Sequence, residues 1–442
     1  MTAAMRMETP ASQPRYEPKF ATVGSEYGRL LSGAPAREHL RMHQQRFGEL
    51  PAIIDPFSAL AAAREAHVVG RGGAEFPLAR KLATARSAGG EPMVVVNGSE
   101  SEPASRKDRA LLQLRPHLVL DGAQLAAAAV GARRVIVYVH AEQVHTAASV
   151  AAAIRERGDA AGLSVVVRGG PAGFVTGESS SVVAALEGAR AVPRPHAAPV
   201  AVRGLGGRPT VLSNVETLAH LALAFRFGST WFRALGSSEA PGSTLLTLAG
   251  AATVPGLVVE TLYPSTFSDL LTEHGGVARP PRAVLIGGYG GRWVSGVAAW
   301  DTVVDRALLK RAGVPLGCGL VAPLPESACG LEVTSRLLDF LSAQSAGQCG
   351  SCLFGLPRIS TLFRAVVREG GTRADIRQLR ELAHTVEGRG GCAHPDGATV
   401  LLESALEVFA DDVRAHLKGR HCGGAATGWF PLSAHSAGGL AR

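Results

Sequence analysis

Near its C-terminus the chain reads Ser345-Ala346-Gly347-Gln348-Cys349-Gly350-Ser351-Cys352, and Cys392 follows forty residues after Cys352. A C-x-x-C pair with a distal cysteine is typical of a chain that folds back around a metal or an iron–sulfur cluster. Two thiolates on one short loop, closed by a ligand from elsewhere, suit a cubane cluster better than a disulfide. Three cysteines fit this pattern, so the sequence leaves the fourth ligand open.

Several assignments remain open for the other ligands. Cys422 is a candidate fourth thiolate for a four-iron cluster, and an outside ligand or a three-iron cluster are the other options. A structural zinc is the alternative, because Cys349, Cys352, Cys392 and His394 would form a common Cys3His set. A thioredoxin-like redox pair is disfavoured, since the motif lies between predicted helices rather than in a βαβ unit. Cys318 and Cys329 are expected to be ordinary thiols.

Length and composition predict a compact protein of two to four domains. The chain has 442 residues, of which 46% are hydrophobic and 19% charged, which excludes a largely disordered chain. No uninterrupted run of about eighteen apolar residues occurs, so no membrane-spanning helix is predicted. The N-terminus lacks the apolar core of a secretory signal. We therefore expect a cytoplasmic protein, free or peripheral to a membrane complex, with a disordered or irregular segment over residues 1–50.

The net charge of +8 comes mainly from scattered arginines, because only five of the 45 basic residues are lysines. No basic run is interleaved with aromatic residues, so nucleic-acid binding is not predicted. A basic surface favours acidic partners such as a ferredoxin. Lys81 and Lys107 fall within the two most motif-like segments, where a compact point charge is not interchangeable with arginine.

Helical and apolar strand patterns alternate along the first half of the chain. Helices are predicted over 56–66, 118–130, 141–157 and 182–188, and strands over 93–96, 135–140 and 163–168. This alternation predicts an α/β domain over 51–240 with ligands at the strand ends. Short strands over 244–248, 257–260 and 283–286 predict a small β-rich module over 241–300. A connector over 301–332, four helices around the cysteines over 333–420 and a tail over 421–442 complete the prediction.

Four further motifs occur in order before the cysteines. They are Gly70-Arg71-Gly72-Gly73-Ala74-Glu75-Phe76-Pro77 with Lys81; Asn97-Gly98-Ser99-Glu100-Ser101-Glu102-Pro103 with Lys107; Gly173-Phe174-Val175-Thr176-Gly177-Glu178; and Gly207-Arg208-Pro209-Thr210 with Asn214-Val215-Glu216-Thr217. Together with the cysteines they resemble the flavin- and NADH-binding subunit of bacterial respiratory complex I, a family also found in NAD-linked hydrogenases and formate dehydrogenases. The resemblance covers roughly residues 50–420.

The resemblance implies an FMN-binding α/β domain, a β-grasp-like module and a helical iron–sulfur domain. Independently, the glycines let backbone N–H groups approach an anion, with Arg71 and Lys81 adding positive charge; an ordinary glycine-rich turn is the alternative. Glu102 and Glu178 are expected near the reacting nicotinamide, although Glu178 also suits a helix cap. The candidate FMN-binding residues are Gly70, Arg71, Gly72, Gly73, Lys81, Asn97, Glu100, Ser101, Gly177, Asn214 and Thr217, and the cluster ligands are Cys349, Cys352 and Cys392.

The chain departs from the family pattern at several positions. The family has glycine at Glu75, aspartate at Ser99, asparagine at Ser213 and its first cysteine at Ala346. We expect Glu75 to crowd and repel a dinucleotide, and the loop over 192–202 to offer few cationic or aromatic contacts. The resemblance implies NADH as the donor, and these departures argue against it.

The predicted function is electron transfer from FMN to a [4Fe–4S]-type cluster and then to a protein partner. The partner is expected to be a ferredoxin-like or thioredoxin-fold iron–sulfur subunit. The alternatives are a ferredoxin-linked oxidoreductase subunit and a non-catalytic scaffold that binds structural zinc.

Overall fold

A computed structural model describes residues 20–23, 28–31, 33, 36–158, 162–195, 198–420 and 430. Its strands are β1 (Phe20–Val23), β2 (Met93–Gly98), β3 (Arg134–His140), β4 (Ser164–Gly170), β5 (Thr210–Asn214), β6 (Thr244–Leu248), β7 (Val258–Thr261), β8 (Ala283–Ile286), β9 (Arg292–Ser295) and β10 (Leu320–Leu324). Its helices are α1 (Leu40–Phe47), α2 (Pro56–Glu65), α3 (Leu78–Ser87), α4 (Lys107–Leu114), α5 (Pro116–Val130), α6 (Val144–Arg157), α7 (Ser179–Leu186), α8 (Val215–Arg233), α9 (Phe267–Glu273), α10 (Gly296–Trp300), α11 (Arg306–Arg311), α12 (Gly330–Ala343), α13 (Leu356–Arg368), α14 (Arg373–Val386), α15 (His394–Val408) and α16 (Ala410–His416).

The predicted α/β domain is present and contains a four-stranded parallel sheet in the order β4-β3-β2-β5. The runs that form β2 and β3 are rich in valine and buried, as expected for parallel strands covered on both faces. On one face α5 and α8 pack closely. A Cβ on Gly122 would lie 1.9 Å from the Leu218 carbonyl oxygen, so the two helix backbones can meet only at a glycine.

A second, six-stranded mixed sheet has the order β1-β7-β6-β10-β8-β9. It contains the three strands predicted for 241–300, but it also recruits β10 from the expected connector and β1 from the expected irregular segment. Both expectations are therefore corrected, and α1 is a further regular element within residues 1–50. The added strands are short and lack a long periodic pattern. Their strand conformation therefore depends on pairing with neighbouring strands rather than on local sequence alone.

The C-terminal region is helical, as predicted, but it contains five helices, α12 to α16, rather than four. Between α12 and α13 the chain forms the cysteine loop and a π-helical turn, Ser351–Gly355. Phe430 packs edge to face against Tyr289 and Trp293, at centroid distances of 5.7 and 6.4 Å. Cys422 and the rest of the predicted tail lie outside the described residues. Within the described ranges, every helix is too short or too polar to span a lipid bilayer.

Candidate cofactor sites

Asn214 is the last residue of β5 and Asn97 the penultimate residue of the parallel strand β2, and the two are direct partners in the register of these strands. The carboxyl edge of a parallel sheet is where open α/β folds bind ligands. The third motif reaches the same edge, since Asn97 donates a hydrogen bond from Nδ2 to the Gly177 carbonyl oxygen at 2.9 Å. A Cβ on Gly177 would lie 2.4 Å from Ser101 Oγ, so the close approach requires glycine.

The glycine-rich loop lies over the start of α8. The backbone N–H of Arg71 donates to Thr217 Oγ1 at 2.8 Å, and the position of a Cβ on Gly72 is 3.6 Å from the Asn214 Cβ. All four motifs therefore meet at one sheet edge. The sequence suggested the motifs, and the fold brings them together.

The Arg71 side chain differs from its expected role. Its guanidinium is buried and donates to Thr244 Oγ1 and to the Pro241 carbonyl oxygen, both at 3.1 Å. Arg71 thus connects the loop to the start of β6 in the six-stranded sheet.

Lys81 keeps a position suited to an anion. Its Nζ donates to the Leu212 carbonyl oxygen at 2.7 Å, two residues before the end of β5. Burial lowers the pKa of Lys81 to about 8, and no carboxylate offsets that burial among the described residues. A phosphate beside this ammonium would supply the missing negative charge.

Two polar residues at the edge, Asn214 and Glu100, already have hydrogen-bond partners within the protein. Asn214 caps α8 by accepting from the Glu216 backbone N–H at 2.9 Å, and Glu100 accepts from the backbone N–H groups of Asp108 and Arg109 at 3.0 and 3.2 Å. Glu100 is therefore a cap of α4, and its carboxylate serves the helix. Ser101 Oγ is enclosed without a hydrogen-bond partner among the described residues, which leaves it free for a bound ligand.

Lys107 forms a buried ion-pair group that sequence reasoning only partly anticipated. Its Nζ lies 2.8 Å from Asp108 Oδ1 and 2.9 Å from Glu216 Oε2, and all three side chains are buried. The group joins the second motif to the fourth. Glu216 was not predicted as a site residue. Its position two residues after a capping asparagine was the only local signal.

The two candidate catalytic carboxylates have different environments. Glu102 Oε2 accepts from the Tyr289 backbone N–H at 3.1 Å, whereas Oε1 is enclosed and lacks a described partner. Burial raises the pKa of Glu102 to about 8, against the lowering effect of that N–H. Glu178 is exposed and caps α7 by accepting from the backbone N–H groups of Ser180 and Ser181. Glu102 can thus hold a proton near neutral pH, whereas Glu178 has the capping role.

Glu75 does not carry the uncompensated charge that we expected. Its carboxylate lies 3.3 Å from Arg306 Nη1 and 3.2 Å from Lys310 Nζ, both supplied by α11. This pairing removes the electrostatic argument against a dinucleotide. Glu75 adopts a left-handed backbone with φ of 51°, a conformation that favours glycine.

The three predicted ligand cysteines lie close together at the N-terminal ends of α13 and α15. Burial opposes ionisation of Cys349, but hydrogen bonds from the backbone N–H groups of Gly391 and Cys352 and from the Cys352 side chain outweigh it, so its pKa is lowered. Burial and the neighbouring Cys349 raise the pKa of Cys352 to about 12. Burial also raises the pKa of Cys392, with Glu178 and Cys349 adding to it. A bound cationic group would favour all three thiolates.

The three thiols suit an iron–sulfur cluster. Thiolates that receive backbone N–H hydrogen bonds are usual around such clusters. His394 Nε2 lies 2.8 Å from the Leu341 carbonyl oxygen, and its Nδ1 is enclosed without a hydrogen-bond partner among the described residues. Cys318 and Cys329 lie apart from the group, the first near Glu102 and the second 3.8 Å from His416 Nε2.

The α/β domain brings four polar motifs together at one sheet edge, and the helical region brings three thiols together. These two features are typical of the class of proteins that bind a flavin and an iron–sulfur cluster. Family comparisons agree. The Nuo51 FMN-binding domain matches residues 63–223, and the NADH-ubiquinone oxidoreductase-F iron-sulfur binding region matches residues 332–416.

Individual relatives are similar to this chain over most of its length. The second NADH-quinone oxidoreductase F subunit of Rhizobium meliloti is 32% identical over 410 residues, covering 89% of this chain and 96% of that protein. The NADH-quinone oxidoreductase F subunit of Streptomyces coelicolor is 30% identical over 403 residues, covering 86% and 88%. The chain belongs to the family of NADH-quinone oxidoreductase F subunits, and it has the FMN-binding domain and the iron–sulfur region of that family.

Solved structures show the same fold. A crystal structure of NAD+-reducing [NiFe]-hydrogenase in the air-oxidized state matches with a TM-score of 0.77 and 26% identity, over 86% of this chain and 67% of that one. The H2-reduced state matches with the same TM-score at 24% identity, over 90% and 68%.

Proposed function

We propose that this chain is an electron-transfer subunit that receives electrons at FMN and passes them to a [4Fe–4S] cluster and then to a protein partner. The observation that carries the proposal is the meeting of four motifs at the edge where Asn97 and Asn214 are paired, in the same chain as the helical region that holds the cysteines. Bound FMN would supply two-electron acceptance with one-electron release, and the cluster would supply one-electron transfer.

The chain's own residues would hold FMN at the sheet edge. Lys81 would offer its remaining N–H donors to the phosphate while it keeps the hydrogen bond to the Leu212 carbonyl oxygen. The loop Gly70 to Gly73 would approach the ligand through its backbone. Ser101 Oγ would donate from its enclosed position. Asn97, Glu100, Asn214, Gly177 and Thr217 fix the shape of the edge through the contacts described above.

Glu102 is proposed to act on the reacting side of the site. Its enclosed Oε1 can carry a proton near neutral pH, which keeps a negative charge away from an incoming hydride donor. Glu178 would orient the start of α7 at the same place, through the hydrogen bonds of its cap.

Cys349, Cys352 and Cys392 are the proposed cluster ligands. The fourth ligand is an outside group or Cys422. NADH is the proposed donor from the family, and a ferredoxin-linked subunit is the second candidate. The second candidate is motivated by the glutamate at position 75 of the glycine-rich loop, where the family pattern has glycine. A zinc scaffold is supported least, because the iron-sulfur binding region of the family matches residues 332–416.

The six-stranded sheet is assigned as β-grasp-like because it is mixed and buries one face of α9, through Phe267, Leu270 and Leu271, against strand residues. The five C-terminal helices would form a bundle around the cluster. A ferredoxin-like or thioredoxin-fold iron–sulfur subunit is the proposed partner. The proposed location is the cytoplasm, either free or beside a membrane complex.

Anaerobic reconstitution with FMN, iron and sulfide tests the proposal. We expect a flavin absorbance and a reducible cluster signal in the same chain. A reconstituted chain that binds neither group would contradict it.

A further inference from the structure

Glu102 is held by a turn that has almost no side chains of its own. The turn, here called the glycine turn, joins β8 to β9 over residues 287–291, and four of its five residues are glycine. A Cβ on Gly288 would lie 2.5 Å from Glu102 Oε2, and the Tyr289 backbone N–H donates to the same oxygen at 3.1 Å. The glycine turn therefore contacts the Glu102 carboxyl directly through its backbone.

The glycine turn depends on Tyr289 to fix its shape. Gly287 and Gly288 have φ of 99° and 110°, in the region that favours glycine, and glycine has more conformational freedom to lose on folding than any other residue. The Gly287 N–H donates to the Leu320 carbonyl oxygen at 2.9 Å, which holds the start of the turn. At its tip, Tyr289 supplies the only side chain of the turn that can pack against the rest of the protein.

Two further rings hold the Tyr289 ring. Tyr289 is fully buried and lies edge to face with Phe340 of α12 and with Phe430, at centroid distances of 5.5 and 5.7 Å. Phe430 follows α16 in the chain, is 7% exposed and also meets Trp293 of β9 edge to face. Aromatic pairs in this geometry attract each other beyond the burial of their surface. A residue near the C-terminus thus packs on the hairpin that holds Glu102.

The enclosure of Glu102 decides whether its carboxyl is protonated. Burial raises the pKa of Glu102 to about 8, and this effect exceeds the lowering by the Tyr289 N–H. The titratable groups around it are Cys318 and Tyr289 on the side of the glycine turn, and Glu100, Arg109 and His140 along a cavity of about 30 Å³. Any loosening of the glycine turn that admits water would therefore favour the ionised form.

We propose that Phe430 and Tyr289 are positioning residues for Glu102. Phe430 packs on the Tyr289 ring, and that ring fixes the backbone that holds and encloses the Glu102 carboxyl. The inference rests on the proposed function, in which Glu102 acts on the reacting side of the flavin site. The C-terminal segment thereby controls the protonation of a carboxyl in the second motif.

The test measures the titration of Glu102 in the reconstituted full-length chain by infrared spectroscopy. The C=O band of the protonated carboxyl is assigned to Glu102 by its loss in Glu102→Gln. In the wild type this band is expected to titrate near pH 8. In Phe430→Ala and in Tyr289→Leu, water reaches the carboxyl, so the midpoint is expected to be at least one pH unit lower.

Phe363→Leu is the matched control, since Phe363 is 1% exposed on α13 and belongs to the same hydrophobic core as Tyr289 and Phe430. It is expected to lower stability without moving the Glu102 midpoint. Hydrogen exchange adds a second measurement with a milder change. In Phe430→Leu the Tyr289 amide is expected to exchange at least tenfold faster than in the wild type.

A wild-type midpoint in both Phe430→Ala and Tyr289→Leu overturns the inference, as does an equal shift in Phe363→Leu. If these two variants do not fold, unchanged exchange of the Tyr289 amide in Phe430→Leu overturns it. Flavin and iron are measured on the same samples. A wild type that takes up both cofactors while the variants show no shift overturns the positioning role alone. A wild type that takes up neither overturns the proposed function, and with it any role of this contact in the reaction.

Discussion

Phe174 and His394 meet edge to face, with ring centroids 5.4 Å apart. Phe174 belongs to the third motif at the sheet edge, and His394 begins α15 two residues after Cys392. The same phenylalanine contacts Phe340 of α12 at a centroid distance of 5.8 Å. One side chain therefore joins the candidate flavin edge to the cysteine region through packed ring contacts.

The cluster ligands are tested by single replacements. Cys349→Ser, Cys352→Ser and Cys392→Ser are each expected to lose iron, because a serine oxygen is a poorer ligand for a cluster than a thiolate. Cys318→Ser and Cys329→Ser are the matched controls and should retain iron. Iron and sulfide analysis after anaerobic purification gives the result. Full iron in Cys352→Ser would contradict the assignment. Ala346→Cys should add a thiolate and slow cluster loss in air.

Lys81→Ala is expected to release flavin with little effect on folding. A hydrogen bond to a charged group contributes about 1.5–3 kcal/mol, which corresponds to roughly ten- to hundred-fold weaker binding. Fluorescence of released flavin on dilution measures the change. Lys310→Ala is the control, since Lys310 is another lysine of the chain and pairs with Glu75 at the protein surface. Unchanged flavin affinity in Lys81→Ala would show that Lys81 does not contact the phosphate.

Glu102 is expected to make stability depend on pH. Burial raises its pKa from 4.5 to about 8 in the folded state, so the folded chain binds more protons than the unfolded chain between these values. The free energy of unfolding therefore falls as pH rises through this interval. Glu102→Gln should flatten that fall, and its gain relative to the wild type should grow as pH rises through about 8 and then level off. Denaturant unfolding at several pH values checks this, with the exposed Glu142→Gln as control. Parallel pH profiles for Glu102→Gln and the wild type would show that this carboxyl titrates normally.

The Glu75 pair is expected to hold the glycine-rich loop on α11. Arg306 is 2% exposed, and removing one partner of a buried pair costs about 3–5 kcal/mol. Glu75→Gln should lose stability by that order, whereas Glu75→Gln/Arg306→Met should recover much of it. Denaturant unfolding of the three chains gives the comparison. Lys310→Ala serves as the control, because exposed ion pairs contribute little. If Glu75→Gln/Arg306→Met is as unstable as Glu75→Gln, the loss of stability in the single variant does not come from an unpaired Arg306.

Local sequence was sufficient to predict the α/β domain, because its valine-rich strands and glycine-bounded helices can be recognised from a few consecutive residues. It was insufficient for β5 and β10, which are short and take their places only through neighbouring strands. The four motifs were found by resemblance, but their convergence depends on the register of Asn97 with Asn214. The partner of Glu75 lies 231 residues away, so no local pattern could show that its charge is compensated.

Joint analysis of flavin, iron and sulfide in the anaerobically purified wild-type chain tests the central claim most directly, together with the absorbance change on reduction. We predict bound FMN and a reducible iron–sulfur cluster in the same chain. A colourless protein that contains zinc and no flavin would contradict it.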